Sequence, residues 1–124
     1  MIDDSKPIFM QISELIENDI ISGTLPEESQ VPSTNEFAAF YRINPATAAK
    51  GINRLVEEGL LYKKRGIGMF VAQGAPAKLR SSRREHFAKQ FVTPLTAEAA
   101  KLGIEMDELI AMIKSTSAGL HRRT

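Results

Sequence analysis

The sequence predicts a mainly α, α+β fold: three helices and a two-stranded hairpin, followed by a short helical segment. Three observations carry this. Apolar residues recur at steps of three and four from Ile8 to Ile20; two helix-opening signatures, Ser33 with Glu36 and Asn44 with Pro45, introduce two further periodic runs; and "LLYKK" and "MFVAQ" are short strand-like runs joined by "RGIG".

The first helix follows Pro7, a residue suited to a first helical turn, and its stripe of Ile8, Ile12, Leu15, Ile16 and Ile20 ends near Gly23. "TLPEESQVP" carries two prolines and no periodicity, so it reads as a connector. Ser33 and Glu36 form a capping box before Phe37, Ala38 and Phe40, which predicts a short second helix. Asn44 caps a third helix with Pro45 at its first position; Ala48, Ile52, Leu55 and Val56 are its buried stripe, and Gly59 stops it. In "RGIG" the two glycines permit the positive φ values of a tight or bulged hairpin. Beyond Gly74, Leu79, Phe87, Phe91, Leu95, Ala99 and Leu102 share one helical face, and Pro94 must kink or divide that helix. Leu109, Ile110 and Ile113 form a last stripe before a tail. The expected domains are 1–74, a DNA-binding unit; 75–118, a helical dimerisation segment; and 119–124, a flexible tail.

Composition narrows the function. The chain has 124 residues, 43% hydrophobic and 25% charged, which suits one modest core plus an appendage. It lacks the run of about 18 to 20 apolar residues that a membrane span needs, and "MIDDSKP" is acidic where a secretory signal is basic, so a cytoplasmic protein is expected. The absence of cysteine excludes disulfides, thiol nucleophiles and thiolate metal sites; His86 and His121 lie far apart and share no ligand motif, so no metal or cofactor is expected. No nucleophile elbow, P-loop or paired-carboxylate constellation is present, which argues against an enzyme.

The net charge of +1 conceals an uneven distribution. From Met1 to Tyr41, Lys6 is the one base; from Arg42 to Arg65, Arg42, Lys50, Arg54, Lys63, Lys64 and Arg65 oppose only Glu57 and Glu58. Two helices joined by a short turn, the second opening with small polar residues, make a helix-turn-helix whose second helix enters the DNA major groove. Ala46, Thr47 and Ala49 allow close approach; Asn44 and Thr47 are candidates for phosphate or base edges, Lys50 and Arg54 for phosphate. Thr34 and Asn35, at the start of the second helix, are further candidates. The hairpin completes a winged helix, with Lys64 and Arg65 at its tip for the minor groove and Gly66 and Gly68 bringing backbone near the phosphates. A competing reading is a winged-helix protein-interaction module; acidic residues in place of Lys50 and Arg65 would favour it, and they are absent.

The blocks "PIFMQISELI", "SGTL", "VPSTNEFA", "INPATAAKGINRLVEEGLL" and "KKRGIGMFV", in this order and spacing, resemble the GntR-type bacterial transcriptional regulators, and within them the short YtrA-like branch. The resemblance implies a winged helix, homodimerisation and operator binding in transcriptional repression, with contacts carried by Ser33, Thr47, Lys50, Arg65 and Gly66. The chain departs from the family pattern at Asn35, often arginine; at Glu27 and Glu28, usually Pro-Gly; and at Ala46, Ala48 and Ala49, where many members carry larger residues. Direct base readout is therefore expected to be sparse. Longer members carry a large ligand-binding domain after the wing. Here the segment is too short to enclose a metabolite within one chain, so Leu79, Phe87, Phe91, Leu95, Leu102, Leu109, Ile110 and Ile113 are expected to bury against a second copy in a homodimer. A small-molecule effector between subunits, lined by Phe87 and Phe91, is the lesser expectation.

Overall fold

The computed structural model describes residues 5–123, the side chains of 121–123 excepted. Its elements are α1 (Ile8–Ser22), α2 (Thr34–Tyr41), α3 (Pro45–Glu57), β1 (Leu61–Lys64), β2 (Gly68–Val71), α4 (Ala75–Phe87), a π-helical turn (Ala88–Val92), α5 (Thr93–Lys101) and α6 (Met106–Arg123). They group into two compact units that divide after Arg83, within α4.

In the first unit the predicted stripes meet in one core: Ile12, Ile16 and Ile20 from α1, Phe37 and Ala38 from α2, Ala48, Ile52 and Leu55 from α3, and Leu60, Leu61 and Val71 around the hairpin. The α1–α3 crossing depends on a residue that the apolar periodicity passes over. A Cβ at Gly51 would lie 2.6 Å from the Phe9 carbonyl oxygen and 3.0 Å from Ile12 Cβ, so a side chain there would force the helices apart. At the same crossing the buried Ser13 hydroxyl donates to the Gly51 carbonyl at 2.7 Å, which satisfies a polar group that would be costly to bury alone.

The stretch read as a plain connector is partly strand-like. Val31 N–H donates to Met69 O at 2.9 Å, Val71 N–H to Ser29 O at 2.9 Å, and Gln30 forms a β-bridge with Phe70, so residues 29–31 line the open edge of β2. The two prolines and the brevity of the pairing hide it from periodicity. The Glu27–Glu28 departure also finds its reason: Ser29 N–H closes a turn onto Pro26 O at 3.1 Å with Glu28 at φ 68°, while the Glu27 carboxylate accepts the Gly74 N–H and the Glu28 carboxylate the Tyr62 hydroxyl.

The first unit extends past the expected boundary at residue 74. Ala75 and Leu79 belong to its core, the Lys78 ammonium donates to the Glu58 carbonyl, Arg80 to Ile21 O at 3.3 Å, and Arg83 pairs with Glu17 at 3.4 Å. Leu79 therefore leaves the expected dimerisation stripe: it is 5% exposed, because the start of α4 folds back onto this core. Burial pushes the Glu17 carboxyl above its ordinary range, with Arg83 opposing that shift.

In the second unit Pro94 acts as expected. It sits in the first turn of α5, and the preceding π-helical turn, where Thr93 N–H reaches Ala88 O, divides the long helix. Gly103, at φ 69°, closes α5: its N–H donates to Ala100 O at 3.2 Å and that of Ile104 to Ala99 O at 2.9 Å. The backbone of α6 continues to Arg123, so residues 119–123 extend the helix where a tail was expected; Gly119 weakens a helix without ending it, and no proline follows. Leu109, 5% exposed, is already buried within the chain and is a second loss from the stripe. Phe87, Phe91, Leu95, Leu102, Ile110 and Ile113 remain between 42% and 65% exposed.

Candidate nucleic-acid interface

The interface begins at the capped start of α2. Ser33 N–H donates to Glu36 Oε1 at 3.0 Å and Glu36 N–H to Ser33 Oγ at 3.1 Å, the reciprocal pair that the spacing predicts. The Ser33 amide and hydroxyl hold the Glu36 carboxyl below its usual range. Thr34 and Asn35 occupy the first turn, half-buried and exposed respectively. Arg42, at φ 55°, ends α2, with Ile43 N–H reaching Ala38 O at 3.0 Å. Asn44 then caps α3, its Oδ1 accepting from Ala46 N–H at 2.7 Å.

Along α3, Ala46, Lys50 and Asn53 are exposed and Thr47, Ala49 and Arg54 half-buried. Ala46, Ala49, Lys50, Asn53, Arg54 and Glu57 line a shallow groove with Phe9 of α1. Lys50 and Arg54, expected to act as one pair on phosphate, have different attachments. The Lys50 ammonium lies 4.1 Å from the Phe9 ring centroid; Arg54 Nε is 4.0 Å from the Glu58 carboxylate, which offsets its charge in part. Arg54 is thus the weaker phosphate candidate. Asn53 is a residue that sequence reading missed. Counting seven residues on from Ala46 and three from Lys50 places it on the same helical face, and an Asn amide suits adenine's edge.

The wing is an antiparallel pair with Leu61 opposite Val71 and Lys64 opposite Gly68, leaving Arg65, Gly66 and Ile67 as the turn. Gly66, at φ 79°, allows Ile67 N–H to close onto Lys64 O at 2.9 Å, and a Cβ there would meet nothing within 4 Å. At Gly68, φ 147°, a Cβ would also come within 2.6 Å of Gln30 Nε2, the end of a side chain that donates to Ile67 O at 3.1 Å and braces the turn from the adjoining strand-like edge. The Lys64 ammonium lies 4.4 Å from the Phe70 ring centroid, on the stacked Tyr62–Phe70 pair, so it lies along the hairpin flank. Arg65 is exposed and has no ion-pair partner among the described residues, and Lys63 is exposed beside it. The hydrogen bond to Glu28 raises the Tyr62 phenol above its ordinary range.

A reading helix with a small-residue opening face, carried on a packed three-helix core and followed by a glycine-turned basic hairpin, defines a winged helix-turn-helix DNA-binding regulator. Family comparison agrees and narrows it. Residues 10–71 match the profile of the bacterial regulatory proteins of the gntR family, and the chain belongs to that family. It is similar to the HTH-type transcriptional repressor YtrA of Bacillus subtilis (strain 168), 28% identical over 114 residues that span 92% of this chain and 87% of YtrA, a whole-length likeness that fits the short YtrA-like branch. A GntR family transcriptional regulator from Listeria monocytogenes superposes with a TM-score of 0.73 at 31% identity, covering 92% of this chain and 98% of that one. AraR(DBD), solved in complex with operator ORX1, matches with a TM-score of 0.55 at 30% identity over 58% of this chain and 93% of its own. Among the described residues no three His, Asp or Glu side chains converge as metal ligands, and no helix is long and apolar enough to cross a membrane.

Proposed function

We propose that this chain is a cytoplasmic, homodimeric repressor that binds an inverted-repeat operator in double-stranded DNA. The observation that carries the reading is the exposed opening of α3 in a unit whose hairpin turn presents Arg65 without a partnering carboxylate among the described residues. Ala46 and Thr47 meet base edges, where alanine and threonine methyls suit thymine; Ser33, Thr34, Asn35 and Lys50 position the helix on phosphates; Arg65, with Gly66 in the turn, enters the minor groove. Similarity to YtrA and to AraR(DBD) supports operator binding and repression.

The exposed face of Phe87, Phe91, Leu95, Leu102, Ile110 and Ile113 supports pairing with a second copy, since a monomer would leave it in water. Phe87 and Phe91 contact each other, ring centroids 5.7 Å apart, and each is a little over half exposed. Covering what remains is worth roughly 1 to 1.5 kcal/mol per ring, and a dimer covers four, so polar replacement removes about 4 to 6 kcal/mol of association. A twofold dimer presents its reading helices in opposite directions, with half-sites about one helical turn, roughly 10 base pairs, apart. Sedimentation velocity on the full chain, a truncation after Arg83 and the Phe87→Gln/Phe91→Gln variant tests this. The full chain is expected to be dimeric at micromolar concentration and both variants monomeric, with a twofold-symmetric footprint for the full chain. Equal dimer fractions in all three would move the interface elsewhere and overturn the assignment.

A further inference from the structure

In the first unit the aromatic side chains form three groups, and two carry their own cation. The Lys50 ammonium lies over Phe9 at 4.1 Å and that of Lys64 over Phe70 at 4.4 Å. The third group, on α2, carries none. Phe37 and Tyr41 stack with centroids 5.4 Å apart, and Phe40 meets Tyr41 edge-on at 4.9 Å. These rings, with Leu25 of the connector, line a groove of about 470 Å³ whose rim holds the carboxylates of Asp19 and Glu36. No lining residue is basic, and neither carboxylate has an ion-pair partner among the described residues. Phe40 is 77% exposed, an unusual place for a phenyl ring on a helix of this size.

We infer that this groove binds a small organic cation, an ammonium carried on an apolar frame, with the charge set against Asp19 and Glu36 and the frame against Phe40 and Tyr41. Aromatic faces attract ammonium groups through the ring quadrupole, and carboxylates at the rim add direct charge complementarity. The volume falls within the range of small-molecule sites. The Ser33 amide and hydroxyl hold the Glu36 carboxyl below its usual range. Ala46, Thr47 and Arg65 do not line the groove, whereas Glu36 belongs to the Ser33 cap at the start of α2, beside the residues proposed to meet phosphate.

The test uses the ¹⁵N-labelled full chain titrated with benzyltrimethylammonium chloride and, separately, sodium benzoate, followed by amide shifts in two-dimensional NMR. The inference expects saturable millimolar binding of the cation, with shifts concentrated at Asp19, Leu25 and Phe37 to Tyr41, and none of comparable size with benzoate. Phe40→Leu, at an exposed position that leaves the core intact, should weaken binding about fivefold or more, and Asp19→Asn about twofold or more. Equal responses to cation and benzoate, shifts centred on Phe87 and Phe91, or unchanged affinity in Phe40→Leu would each overturn it.

Discussion

Replacing Gly51 with alanine tests the helix crossing that sets α3 in place. In an open helix this change stabilises by about 0.5 to 1 kcal/mol, since alanine loses less backbone freedom on folding. At Gly51 the new methyl would sit 2.6 Å from the Phe9 carbonyl oxygen and 3.0 Å from Ile12 Cβ. Neither neighbour is a flexible side-chain end: one is α1 backbone and the other belongs to a fully buried isoleucine. Relief requires α1 and α3 to separate by several tenths of an ångström along a shared core, a strain that costs about 1 to 3 kcal/mol in packed interiors. The same movement stretches the 2.7 Å bond from Ser13 to the Gly51 carbonyl, worth about 1 kcal/mol. The net expectation is destabilisation of about 1 to 3 kcal/mol, measured as a lower urea midpoint at unchanged slope. Gly119 in α6 supplies the control, since a Cβ there meets nothing within 4 Å; Gly119→Ala should raise stability by a few tenths to about 1 kcal/mol. If Gly51→Ala were as stabilising as Gly119→Ala, the close crossing would be wrong.

Other expectations follow from particular side chains. Glu28→Gly should lower the Tyr62 phenol pKa toward its ordinary value, read by ultraviolet titration of the tyrosines, because the carboxylate that raises it is gone; an unchanged titration would mean that the Tyr62–Glu28 bond does not form. The same substitution removes a non-glycine residue from φ 68°, a relief of about 1 kcal/mol. Glu17 binds its proton more tightly in the folded chain than in the unfolded one, chiefly through burial, so its contribution to stability is present at low pH and lost as pH rises through and just above the ordinary glutamate range. Glu17→Gln should therefore gain stability relative to the wild type between about pH 4 and pH 7, measured by urea unfolding at both. A relative loss over that interval would show that the Arg83 pair outweighs the burial.

Much of the first unit was legible because local signals agreed with one another. The Ser33–Glu36 box, the Asn44–Pro45 cap and the glycine-turned hairpin each specify a backbone geometry, and the apolar stripes of α1 and α3 point to a shared core. What stayed hidden depended on contacts distant in sequence. The Gly51 crossing, the strand-like edge at residues 29–31 and the Gln30 brace beside Gly68 need three-dimensional neighbours to be seen. Leu79 misled because helical phase assigns a face without saying what covers it; α4 folds Leu79 into the first core, whereas Phe87 and Phe91, expected on the same stripe, stay exposed. At the DNA face the Asn44 cap was legible, whereas Asn53, three residues on from Lys50, and the pairing of Arg54 with Glu58 were missed.

The central claim is that the opening of α3 and the hairpin turn together form the DNA surface. Fluorescence anisotropy with DNA from upstream of the chain's own coding region and with random duplex, at several salt concentrations, tests it on the wild type, Thr47→Ala and Arg65→Ala. Thr47→Ala should reduce the preference for the specific site by about 1 kcal/mol or more while keeping the salt dependence. Arg65→Ala should weaken binding to both duplexes alike, most at low salt, and lower the slope of log affinity against log salt by about 1. Unchanged affinity, preference and salt slope in both variants would place the DNA surface elsewhere on the chain.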